Sequence, residues 1–136
     1  TIDENVKKYF TNWIKLSEKK SRLFCNNRII QSEIEYNNLK EYIKYYNNVD
    51  NIKNIVIVTH TIPIEIFSNN LNMAVMGNTK NINLLKYSNK ITHWIFGHTH
   101  TKYNYKYNNV QFLSNPKGRP EDKNDEMYNV NTIEVN

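Results

Sequence analysis

Two short apolar runs, each closing on histidine, restrict what this chain can fold into. One is Ile55-Val56-Ile57-Val58-Thr59-His60; the other is Ile91-Thr92-His93-Trp94-Ile95-Phe96-Gly97-His98-Thr99-His100. β-Branched and aromatic residues fit a pleated, buried surface, which predicts strands over Ile55–Thr59 and Ile91–Phe96. The first run is apolar on both faces, so it reads as a buried strand of a parallel sheet and not as an edge. Gly97 ends the second run and permits a sharp or close backbone approach there. In open α/β sheets, side chains at the carboxyl ends of such strands converge on one crevice. His60, His98 and His100 are therefore expected to meet at one end of a sheet.

The remaining segments are consistent with that frame. Asn81 to Ser88, with Ile82, Leu84 and Leu85, predicts a short helix between the two strands. Strand, helix, strand is the order of a βαβ crossover. Pro63 biases Ile62 toward an extended conformation, so the chain turns away just past His60. Residues 64–78 read as irregular, with a turn at Gly77 and Asn78. Upstream, Val6, Tyr9, Phe10, Trp13 and Ile14 share one helical face, and Thr1 with Glu4 has capping-box spacing; a helix over Thr1–Lys20 follows. Residues 21–31 are compatible with helix or loop. Ser32 and Glu35 then predict the start of a second helix, with Ile34, Leu39, Tyr42, Ile43 and Tyr46 as its core stripe. Downstream, Tyr103, Tyr105 and Tyr107 alternate with polar residues, Asn108-Asn109 can turn, and Val110, Phe112 and Leu113 return, which predicts a hairpin. Residues 114–120 read as a loop and 121–127 as an acidic, flexible stretch. Tyr128 to Val135 alternates again and predicts a last strand. The reading is α/β, one domain over residues 1–136, with no internal repeat.

Net charge is +5 over 136 residues, but the lysines and arginines are scattered singly. Without a block of like charge, a nucleic-acid partner is not indicated. The one cysteine, Cys25, excludes an internal disulfide framework, suits a reducing compartment and reads as a small buried hydrophobe. No apolar run approaches the ~20 residues of a membrane helix, and no charged-then-apolar leader opens the chain. The expectation is a soluble, cytoplasmic protein without a membrane partner. Nucleophile elbows, Walker loops, dinucleotide fingerprints and Cys-x-x-Cys pairs do not occur.

The chemistry that remains is that of the histidines. One histidine at a strand end is ordinarily just a polar terminus; three at the ends of two buried strands argue for a metal centre. Imidazole suits transition metals such as Zn, Fe and Ni. If the segment stays extended, His98 and His100 point to one side and can face one ion or two. His93 opens its strand, away from the carboxyl end, and is not assigned as a ligand. A hydrolytic two-metal site also needs a bridging carboxylate between ions ~3.5–4 Å apart; Glu65 is the only acid near His60.

These residues resemble a family. Val58-Thr59-His60 followed by Pro63, then Gly97-His98-Thr99-His100, then a hairpin from Tyr103 that closes on Ser114-Asn115-Pro116-Lys117-Gly118, come in the order of the last metal motifs of calcineurin-like metallophosphoesterases. The similarity covers about Leu39 to Gly118. It implies the carboxyl-terminal half of an αββα sandwich, with two divalent metal ions (Mn, Fe or Zn) at the strand ends. His60 and His98 would bind one ion and His100 the other, and the substrate would be a phosphate ester hydrolysed by the dinuclear centre. The family's Asp-x-His, Gly-Asp-x-x-Asp and Gly-Asn-His motifs do not occur in this stretch: Gly77-Asn78 is followed by Thr79, and Thr61 stands where many members have a second histidine. The expectation is thus a partial domain, the rest of it upstream, with an uncovered face that favours association. The alternative is a catalytically incomplete module that binds a metal or, through its tyrosine-rich hairpin, a protein. Lys117 and Arg119 read as plain surface charges.

Overall fold

The β-branched runs form strands at the predicted residues. A computed structural model describes residues 18–64, 78–118 and 128–136, with side chains from Asn26 onward. It gives helix α1 (Glu18–Asn47), strand β1 (Ile55–Thr59), a 3-10 helix η1 (Thr79–Tyr87), then strands β2 (Ile91–Phe96), β3 (Tyr103–Tyr107) and β4 (Val110–Ser114). The class is α/β. Residues 1–41 and 42–136 are two compact units, and the sheet lies wholly in the second. No described helix is long and apolar enough to cross a membrane.

The sheet has the order β1-β2-β4-β3. β1 and β2 pair in parallel, as do β2 and β4, while β3 and β4 form an antiparallel hairpin. Parallel neighbours joined through η1 are the crossover that the sequence predicts. Register sets Ile57 beside Trp94 and Trp94 beside Phe112. All three are buried, and the Trp94 and Phe112 rings stack with centroids 6.0 Å apart. Ile43, Ile62, Leu84, Ile91, Phe96 and Val110 complete this core, each large side chain contributing about 1.5–3 kcal/mol of transfer free energy. Asn108 and Asn109 turn the hairpin with φ of 48° and 62°, the double positive φ of a type I′ turn, which asparagine tolerates.

Polar side chains tie the entry of β2 to the end of α1. Ser88 Oγ donates to Asn47 Oδ1 at 2.7 Å and accepts from Lys90 N at 3.0 Å. Lys90 Nζ donates to the Val49 carbonyl at 3.0 Å.

Three expectations need correction. β1 is an edge strand of the described sheet, and its Val56 and Val58 are 37 % and 70 % exposed. Apolarity on both faces records that a strand can be covered twice; here only the Ile57 face packs on the core. Ser32 and Glu35 do not start a helix but lie inside α1, which runs unbroken through 21–31. With neither glycine nor proline between residues 18 and 47, nothing stops the helix so that those residues could cap it. Of its expected stripe only Ile43 is fully buried, and Ile34, Tyr42 and Tyr46 are exposed. Finally, residues 128–136 form no strand. They are held by side chains instead of a ladder: Asn115 Nδ2 donates to the Asn129 carbonyl at 2.8 Å, and Asn54 Nδ2 to that of Asn136. Residues 1–17 of the helix expected over Thr1–Lys20, residues 65–77 of the stretch 64–78 read as irregular, and the acidic stretch 121–127 lie outside the described residues.

Candidate metal centre

β1 and β2 end side by side, Thr59 opposite Phe96, so His60 and Gly97 leave the sheet together. The Gly97 amide donates to the His60 carbonyl at 3.1 Å. A Cβ at residue 97 would lie 3.2 Å from that same oxygen, closer than side-chain carbons normally come. Glycine is therefore what lets the two strand ends touch, the close approach foreseen from the sequence.

Beyond Gly97 the chain does not stay extended. His98 has φ 63°, the left-handed region that non-glycine residues seldom enter. The Thr99 amide donates back to the Gly97 carbonyl at 2.7 Å, and the Thr101 amide donates to Thr99 Oγ1 at 3.2 Å. Thr99 itself is buried. This tight turn removes the premise that His98 and His100 share one side of a strand. It brings His98 to His60 instead. His98 Nδ1 and His60 Nε2 are 3.3 Å apart, with ring centroids at 5.2 Å and planes at 70°. His100 is exposed, yet near enough for its charge to act on His98.

Burial, then the His60 charge, then the His100 charge hold the His98 imidazole below the usual histidine pKa. A neutral imidazole offers the lone pair that a metal requires. The pair also has fitting dimensions. Two imidazole nitrogens bound at about 2.0–2.1 Å to one tetrahedral ion lie about 3.3–3.4 Å apart. His60 and His98 thus fit one ion. Among the described residues, no group of three or more histidine, cysteine or carboxylate side chains is placed to share an ion. His93 lies within β2, beside Val56, with Nδ1 2.9 Å from Thr92 Oγ1. Lys117 is exposed, while Glu65, Arg119 and the Cys25 side chain lie outside the described residues. A groove of about 600 Å³ near the opposite end of the sheet, bordered by Lys86, Asn89, Tyr107 and Asn108, contains none of the histidines.

Sequence reasoning did not find the support beneath His60. Trp94 Nε1 donates to Thr59 Oγ1 at 3.0 Å, and Thr59 Oγ1 donates to the Thr61 carbonyl at 2.9 Å. The signal was present: a buried tryptophan needs an acceptor for its N–H, and Thr59 is the polar residue ending the neighbouring strand. No protein-family model, curated protein or solved structure matches this chain.

Proposed function

We propose that this chain serves metal-dependent hydrolysis of phosphate esters, as the carboxyl-terminal half of a calcineurin-like metallophosphoesterase domain. One observation carries the reading: two imidazole nitrogens 3.3 Å apart where adjacent parallel strands end. The order of the Thr-His-x-x-Pro and Gly-His-x-His motifs supports it. His60 and His98 would hold one divalent ion, and His100 would contribute to the second. Ions held by these residues would supply Lewis acidity toward phosphoryl oxygen and would lower the pKa of a water. The chain's own residues hold the pair in place: Gly97 joins the strand ends, the turn at His98 aims its ring at His60, and burial, first, disfavours a proton on His98. The second sheet of the αββα sandwich rests on the resemblance alone, since the described residues form one.

The test is hydrolysis of p-nitrophenyl phosphate and its bis-ester by the full-length protein with Mn²⁺. His98→Ala is expected to lower the rate by more than about a hundredfold, beyond what loss of a metal-supporting neighbour costs. Full activity in that variant would sink the proposal. A second reading, a module that binds metal without turnover, draws on the same His60–His98 pair; Mn²⁺ binding with no hydrolysis would establish it.

A further inference from the structure

We propose that Thr59, oriented by Trp94, is the positioning residue that fixes where His60 presents its imidazole. The inference rests on the reading of His60 as a metal ligand. His60 is the first residue past β1, where a chain leaving a sheet gains freedom in φ and ψ. Here that freedom is removed from two directions. The Gly97 amide holds the His60 carbonyl at 3.1 Å. On the other side, Thr59 Oγ1 reaches over His60 to the carbonyl of Thr61 at 2.9 Å, closing a small ring of chain with His60 at its apex.

A hydroxyl has one proton and two lone pairs, so it can donate once while accepting. Left alone, the Thr59 hydroxyl would rotate among partners. Trp94 prevents this. Its side chain is fully buried, stacked on Phe112, and its N–H occupies a Thr59 lone pair at 3.0 Å. The Thr59 proton is thereby directed to Thr61. Core packing at Trp94 is thus transmitted through two hydrogen bonds to the turn that carries a metal-binding side chain. Groups that orient ligands in this way affect metal affinity without touching the ion.

The experiment uses the full chain with Thr59→Val, which keeps the shape and removes both bonds, and Thr59→Ser, which keeps the hydroxyl. In metal-free protein, the NMR cross-peak between the His60 and His98 rings reports their proximity; Co²⁺ titration followed by absorption reports affinity. Thr59→Val is expected to lose the cross-peak and to bind Co²⁺ about ten- to a hundredfold more weakly, while Thr59→Ser matches the parent on both. A Thr59→Val protein with the parental cross-peak, or a Thr59→Ser protein that behaves like Thr59→Val, overturns the proposal. Should Thr59→Val fail to fold because Trp94 loses its acceptor, the double variant Thr59→Val/Trp94→Phe removes the orphaned donor as well, and the same cross-peak decides. If the parent binds Co²⁺ no better than a His60→Ala/His98→Ala variant, the metal reading fails on its own, and the cross-peak still judges the positioning claim.

Discussion

His98 occupies a backbone conformation that costs an ordinary side chain about 1–2 kcal/mol, and its φ of 63° is what carries the ring to His60. Such strain is stored where the surrounding structure enforces it, often at functional sites. The ring also sits in a setting hostile to a proton, first through burial and then through the charges of His60 and His100. That has a consequence for stability. The folded-state pKa lies below the unfolded value of about 6.5, so between the two the unfolded chain binds more protons. Stability therefore rises with pH across that window, is fully present above about 6.5, and is lost as pH falls toward the folded-state pKa. Urea titrations of metal-free protein at a series of pH values are expected to show this loss, and His98→Ala should flatten it. An equally steep profile in that variant would place its source elsewhere.

The hairpin shows how an element can be read from its punctuation. Asn108-Asn109 between alternating segments predicts a turn, and the turn forms with positive φ at both asparagines. Asn109→Val, a β-branched residue placed at φ 62°, should cost about 1–2 kcal/mol in chemical denaturation, whereas Asn109→Gly should cost much less. A neutral valine would mean that the turn is not constrained as described. Signals of this local kind made most of the sheet legible: β-branched runs gave β1 and β2, alternation gave β3 and β4, and Gly97 marked the touching strand ends. Long-range partnership was not legible. Alternation over Tyr128–Val135 states only that a strand could form there, and no ladder takes it up. Ser32 and Glu35 have cap chemistry, but a cap acts only where a helix stops. For the site, strand ends foretold that His60 and His98 would meet. The left-handed turn at His98 that ends the extended run before His100, and the Trp94–Thr59 hydrogen bond, depend on tertiary packing that residue spacing does not record.

At the scale of the whole molecule, the two sheet edges differ in how well they resist pairing. β3 offers an exposed mixture of tyrosine, asparagine and Lys106, and charge on an edge discourages added strands. β1 consists of Ile-Val-Ile-Val-Thr, has no charge, and among the described residues pairs only with β2. Its Val56 and Val58 add exposed apolar surface on one face. An uncharged edge with open amides and carbonyls invites another strand, and two copies meeting about a two-fold axis would make a self-complementary contact. In antiparallel register centred on Ile57, Val56 would face Val58 of the partner subunit, so the apolar face would continue across the joint. The chain is therefore expected to self-associate as its concentration rises, measured by light scattering on eluting protein. Val58→Lys should shift it toward monomer. This side chain is 70 % exposed, so the substitution should alter folding stability by no more than about 0.5 kcal/mol. A parent protein that stays monomeric at every concentration, or a Val58→Lys variant that associates as strongly, would show that the β1 edge is not the sticky one.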